Sequence, residues 1–227
     1  MRRLLSSLAL VLAMAPASAS AQQSLNLYLG GFVPRSEDAR SRDDVLVNNL
    51  DFLDFYLKDF GAATIGGEWL VGLGDKFEGG LGIGISSRTV PTVYLDFTNA
   101  DYSEIEQDLK LRVVPFTATF RFLPLGRRDG IEPYIGAGVG VFGFRYSESG
   151  QFMASDRTVY RDTFVGSGSA TGPVILSGVR VPIGSGAIGG EIRYQSAEGA
   201  LPEDEGFAGS TIDLGGISYL LTLKFTF

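Results

Sequence analysis

The sequence predicts an all-β chain closed into an eight-stranded antiparallel up-and-down transmembrane β-barrel. Three observations carry this reading. Apolar and polar residues alternate in eight separate segments, the period-two signature of strands with two unlike faces. The connections between the segments alternate between short and long, the layout of a barrel with tight turns at one membrane surface and loops at the other. The charged residues within the segments fall opposite the greasy positions, so closure puts charges inside and apolar side chains outside, the reverse of a soluble barrel.

The elements follow in chain order. Residues 1–21 read as a cleaved secretory signal peptide: Arg2 and Arg3, an apolar run from Leu4 to Met14, then Ala19-Ser20-Ala21 as a small-x-small cleavage site. Residues 22–227 then form one barrel domain. Leu25, Leu27 and Leu29 alternate with Asn26, Tyr28 and Gly30. Ile65, Trp69, Val71 and Leu73 oppose Thr64, Gly66, Glu68 and Gly72, and Phe77, Leu81, Ile83 and Ile85 oppose Glu78, Gly80, Gly82 and Gly84. Val114, Phe116, Ala118, Phe120 and Phe122 share one parity, as do Ile135, Ala137, Val139 and Val141. Ile175, Val179 and Val181 form the sixth segment, and Ile188, Ile192 and Tyr194 the seventh. The eighth is the clearest, with Ile217, Tyr219, Leu221, Leu223, Phe225 and the terminal Phe227 on one face. Short turns are expected at 75–76, 126–130 and 184–186, and long loops at 34–59, 91–108, 147–167 and 197–211. An even strand number places both termini on the short-turn side.

The face opposite the greasy one holds Glu68, Glu78, Arg88, Arg121, Glu132, Arg180, Glu191, Arg193 and Lys224. An eight-stranded barrel has room inside only for side chains, so these charges are expected to plug it. Counting back from the turns groups Glu78, Arg121 and Glu132 near the short-turn end, and Arg180 with Glu191 higher up.

The last strand, with Tyr219, Leu221, Leu223, Phe225 and Phe227, resembles the signal read by the outer-membrane barrel assembly machinery. The stretch Pro133-Tyr134-Ile135-Gly136-Ala137-Gly138-Val139-Gly140 is similar to the fifth strand of the small outer-membrane β-barrels of the OmpA/OmpX/OmpW-like superfamily. The resemblance implies an integral outer-membrane location with both termini periplasmic. Its OmpW-like branch implies a narrow path for ions or small hydrophobic molecules as an alternative to a structural role.

Composition removes most chemistry. The chain of 227 residues has no histidine and no cysteine, so the usual general base, the commonest zinc ligand and thiolate sites are all missing. No enzyme activity, cofactor or metal site is expected. Gly138-Val139-Gly140-Val141-Phe142-Gly143 matches a dinucleotide fingerprint, but strand-like Phe144-Arg145-Tyr146 follows where a helix is required. The loops are acid-rich without metal-loop spacing. In the first loop, Leu46, Leu50, Leu53, Leu57 and Phe60 lie on one helical stripe that Asp43 could cap, the pattern of a short helix on the barrel rim, with a strand extension or a greasy lid as alternatives.

One parity break concerns partners. Lys110, Arg112 and Arg145 share the parity of the lipid-facing residues, and pairing about the turn near Arg127 sets residue 112 opposite residue 142. The three bases would then meet at the loop-side rim as candidate lipopolysaccharide contacts, binding phosphate by charge-assisted hydrogen bonds. A bulge at Pro115 would instead turn Lys110 and Arg112 inward. The expected partners are outer-membrane lipid and lipopolysaccharide and the assembly machinery, with a small hydrophobic ligand as a further candidate. A monomer is expected, and no nucleic-acid partner.

Overall fold

The computed structural model describes residues 22–127, 130–154 and 156–227; the expected signal peptide lies outside them. Ten strands form: β1 (Gln23–Pro34), β2 (Ala62–Leu73), β3 (Phe77–Thr98), β4 (Glu104–Phe122), β5 (Glu132–Met153), β6 (Val159–Ile183), β7 (Gly186–Gln195), β8 (Glu198–Ala200), β9 (Thr211–Asp213) and β10 (Gly216–Thr226). Eight close a barrel in the order β1-β10-β7-β6-β5-β4-β3-β2, and β8 with β9 makes a separate two-stranded sheet. All neighbours are antiparallel, and β1 pairs with β10 from Ser24↔Thr226 to Pro34↔Gly216 to close the ring. Closure leaves no unpaired strand edge in lipid, where each unsatisfied backbone group costs several kcal/mol. The turns after β2 and β6 use Gly74 (φ 68°) and Gly184 (φ 59°), left-handed conformations that glycine adopts without steric penalty.

The barrel has two halves of opposite polarity. In the turn-side half, Leu25, Leu27, Leu29, Ile65, Trp69, Leu81, Ile83, Phe116, Phe120, Ile135, Val139, Ile175 and Leu221 are exposed on the outer wall. This apolar belt makes the fold a transmembrane barrel, because about ten residues of tilted strand span the hydrocarbon. Above it the same strands continue with the rule inverted. On β4, inward Val113, Leu109 and Ile105 are buried while outward Arg112, Lys110, Asp108 and Glu106 are exposed. On β5, inward Phe142, Phe144 and Tyr146 are buried while Arg145 is exposed. That is the polarity of a water-soluble sheet.

This inversion corrects two expectations. Segments 91–108 and 147–167 are mostly strand, since β3 runs to Thr98, β4 starts at Glu104, β5 ends at Met153 and β6 starts at Val159. Their alternation was hidden because its sense flips where lipid gives way to water. Loop 197–211 contributes β8 and the start of β9.

The first loop is also not one helix. Only Val45–Asn49 (α1) is α-helical, followed after an extended stretch by a 3₁₀ turn at Leu57–Phe60. The cap is Asp44, not Asp43: its carboxylate accepts from the amides of Leu46 and Val47. The helix stops early because β3 outruns β2, whose last pair is Thr64↔Ser86. The free β3 edge is covered by the loop instead, with Asp54 N donating to Val93 O and Leu95 N to Phe52 O. An open strand edge presents unpaired backbone groups, and the extended loop backbone pairs with them.

Candidate functional site

The turn-side interior is filled by two ionic clusters. In the upper one, Arg121 Nη2 donates to Glu68 Oε2 at 2.6 Å and to Glu191 Oε2 at 3.1 Å. Arg193 Nη2 donates to Glu68 Oε1 at 2.9 Å and Glu191 Oε1 at 2.6 Å. Asn26 Nδ2 and Tyr134 OH complete the two carboxylates at 3.1 and 3.0 Å. In the lower one, Arg180 joins Glu78 at 2.7 Å and Glu132 at 2.8 Å, and Lys224 Nζ lies 3.1 Å from Glu78. Charge is matched in the upper cluster, and in the lower one a partly exposed Arg127 adds a third base 3.5 Å from Glu78; every ion has a partner in a site where an unpaired one is prohibitive. The Tyr134 ring lies between the clusters, with the Arg121 and Arg180 guanidiniums 5.2 and 5.1 Å from its centroid.

Of the charges named from the sequence as inward, all but Arg88 are buried here, but the grouping differs. Glu132 is bound by Arg180, its direct cross-strand partner, which also reaches across the barrel to Glu78, while Arg121 reaches upward to Glu191. Cross-strand counting registers neighbours in the sheet and is blind to contacts across the lumen. Arg88 does not join either cluster: it is exposed, its Nε donating to the Asp59 carbonyl at 3.0 Å. Glu68, Arg193 and Lys224 were legible from their parity, whereas the contributions of Asn26 and Tyr134 were not. The inward glycines leave little path, because tyrosines fill the space. A Cβ on Gly66 would stand 2.3 Å from Tyr28 Oη and one on Gly178 2.4 Å from Tyr134 Oη. The void bounded by Tyr28, Thr117, Arg193 and Gln195 is only about 20 Å³.

An apolar cap closes the loop-side half. Val45, Leu46, Leu53, Leu57 and Phe60 from the first loop, with Leu201, Ile212 and Leu214 from the last, bury against Val90, Leu109, Phe142, Phe144 and Tyr146. Asp44 stitches the two loops together, accepting from Asp213 N at 2.6 Å and pairing with Arg40 at 3.0 Å. Burial pushes its carboxyl above the usual range against the pull of Arg40 and the backbone amides. A polar triad sits within the cap. Asn49 Nδ2 donates to Glu148 Oε1 at 2.7 Å, as Tyr146 OH does at 2.8 Å. Burial raises the Glu148 carboxyl, and burial together with Glu148 raises the Tyr146 hydroxyl. No sequence signal pointed to this triad, since Glu148 falls in a segment read as loop.

The three bases of the parity break stand where the two halves meet. The β4–β5 register runs without interruption through Pro115↔Phe142, so no bulge turns Lys110 and Arg112 inward. Arg112 pairs directly with Arg145, not with residue 142, and Lys110 with Ser147. All three bases are exposed, ringed by Ser87, Thr89 and Ser167 on the adjoining strands. Like charges set directly opposite repel, so the arrangement is suited to an anion. On β10, Tyr219, Leu221, Leu223 and Phe225 face outward and are exposed, as is Phe227 just past its end. Among the described residues no cluster of three or more acidic side chains is placed to hold a metal.

No protein-family model matches the sequence, and no curated protein matches it. Solved structures of small outer-membrane barrels are similar in fold. Neisserial surface protein A is 10% identical, with 92% of this chain and 98% of that chain covered and a TM-score of 0.49. Ail, the attachment invasion locus protein of Yersinia pestis, solved in complex with the heparin analogue sucrose octasulfate, is 11% identical, with coverage of 92% and 100% and a TM-score of 0.48. The N-terminal β-barrel domain of OprF from Pseudomonas aeruginosa is 14% identical, with coverage of 92% and 100% and a TM-score of 0.39.

Proposed function

We propose that this outer-membrane β-barrel is a non-enzymatic, non-conducting surface protein whose rim bases hold lipopolysaccharide phosphates. Both termini lie in the periplasm, and Phe227 belongs to the assembly signal. The observation that carries the reading is the like-charge trio Lys110, Arg112 and Arg145, set at the upper edge of the apolar belt. An anion at that depth is a lipid phosphate, and charge-assisted hydrogen bonds are roughly twice as strong as neutral ones. The paired ionic clusters and the apolar cap support a closed lumen over the channel alternative.

Replacing all three bases by glutamine is expected to lower the lipopolysaccharide copurifying with a folded, heat-modifiable barrel. Unchanged lipid content in the folded triple variant would overturn the site. Planar-bilayer recording tests the closed lumen: steady single-channel conductance of the wild type would restore the channel reading.

A further inference from the structure

The outer face of β4 and β5 changes chemistry in a fixed order with height. Phe120, Ala118, Phe116 and Val114 face outward in the belt, then Arg112 and Lys110, then Asp108 and Glu106. At this last level the wall carries a cavity of about 420 Å³. It is lined by Asp54, Glu106, Asp108, Ser149 and Arg161, with Gln107 in the same lining. Asp108 is two residues above Lys110 on the same face of its strand, one strand repeat of about 7 Å. The cavity therefore begins where the basic band ends.

Its chemistry is unlike that of the band below. Three carboxylates accept hydrogen bonds, the Ser149 hydroxyl can accept or donate, Thr92 spends its hydroxyl proton on the Asp54 carbonyl, and the Arg161 guanidinium donates. Gln107 commits its carboxamide nitrogen to Tyr94 Oη at 3.2 Å and the Gln151 carbonyl at 2.9 Å. Gln107 has the inward parity, so this buried side chain belongs to the lumen side of the wall and is not one of the cavity's acceptors. A lining rich in acceptors selects a ligand rich in hydroxyl or amine donors and disfavours another phosphate. The volume is in the range of small-molecule sites.

Taken in order, apolar wall, cationic band and acceptor-rich cavity match the three parts of one amphiphile: acyl chain, phosphate and saccharide. We propose that the cavity lined by Asp54, Glu106, Asp108, Ser149 and Arg161 is a saccharide subsite for the membrane's own glycolipid. It receives the sugars that project beyond the phosphates held at Lys110, Arg112 and Arg145. The proposal rests on the phosphate reading and adds to it that the protein distinguishes glycolipids by their sugars.

The test compares two probes on the intact barrel in lipid nanodiscs: lipopolysaccharide carrying its core saccharide, and lipid A without it. The wild type is expected to bind the saccharide-bearing lipid about tenfold more tightly. Glu106→Gln with Asp108→Asn, on an exposed face where folding is not at risk, is expected to bring the two lipids within about twofold while leaving lipid A affinity unchanged. Equal wild-type affinity for both lipids, or a preference that survives the double variant, overturns the subsite and leaves the phosphate site standing. If the triple glutamine variant binds both lipids like the wild type, the phosphate reading fails and the subsite with it.

Discussion

The two halves of this barrel share strands and differ in what they bury. Near the turns, the walls face lipid and the interior is ionic; near the loops, the walls face water and the interior is apolar. Both interiors are filled, but by opposite means. Ions cohere in the lower half because Arg121 and Arg193 contact both Glu68 and Glu191, while Arg180 bridges Glu78 to Glu132. The upper half coheres through packing of Leu46, Leu109, Phe142 and Ile212, all essentially inaccessible to solvent. The difference teaches that strand alternation states only that two faces differ; the solvent outside each segment decides which face is greasy.

The contrast can be broken most forcefully from below. Arg121→Ala leaves Glu68 and Glu191 short of a partner in a fully buried site, and breaking a buried pair from one side costs about 3–5 kcal/mol. Denaturant unfolding in detergent should show that loss across the whole barrel. A variant that unfolds like the wild type would mean the clusters add little cohesion.

In the cap, Leu46→Ala removes a fully buried side chain, a change that costs about 2–5 kcal/mol in a packed core. Here the effect is expected to be local. Limited proteolysis should cut the 34–61 and 196–215 connections faster while the heat-modifiable band stays at its wild-type temperature. A barrel that melts together with the cap would show that the halves are one cooperative unit.

Glu148 gives the contrast a pH dependence. Its carboxyl is raised by burial, so the folded cap binds its proton more tightly than the unfolded chain does. Cap stability is therefore fully present below the ordinary carboxylate range and falls as pH climbs from that range through the raised value. Glu148→Gln keeps an oxygen to accept from Asn49 and Tyr146 and should flatten the protease-resistance profile across that window, with a small gain at neutral pH. An unchanged pH profile in this variant would assign the dependence elsewhere, Asp44 being the other raised carboxyl of the cap.

The smallest effect belongs to the seam between the halves. Arg112→Gln removes the like charge facing Arg145, worth about 0.2–1 kcal/mol for a cross-strand pair. Thermal stability should rise by that amount in lipid-free detergent and lose the gain once lipopolysaccharide is added. A gain that persists with lipid present would argue against phosphate between the two arginines.

How much was legible follows the same division. The belt-spanning part of all eight barrel strands, the inward parity of Glu68, Glu78, Arg121, Glu132, Arg180, Glu191, Arg193 and Lys224, and the outward parity of the three bases could be read from period-two alternation, whereas Arg88, of the same inward parity, is exposed above the last β2–β3 pair, where β3 has a free edge. The upper strands were missed because Val113, Leu109 and Phe144 continue the alternation in the opposite sense, which reads as its end. The stripe from Leu46 to Phe60 is a real burial pattern, helical only over Val45–Asn49 and beyond it laid against the β3 edge in the manner of the strand-extension alternative. Leu46, Leu53, Leu57 and Phe60 are buried and Leu50 half-buried, but an unpaired β3 edge recruited Phe52 and Asp54 into extended hydrogen bonding that outcompetes a helix.

The sequence by itself determined which residues face lipid, which face the lumen and where the charges of the candidate site reside, since each follows from local period and turn position. Only the tertiary structure decided which acid meets which base, because Arg180 and Glu78 lie 102 residues apart and meet across the barrel rather than along the sheet. It also decided that the loops fold inward as a cap. That depends on how far β3 to β6 rise above their shorter neighbours, leaving an apolar inner wall and a free edge that only the first and last loops are near enough to cover.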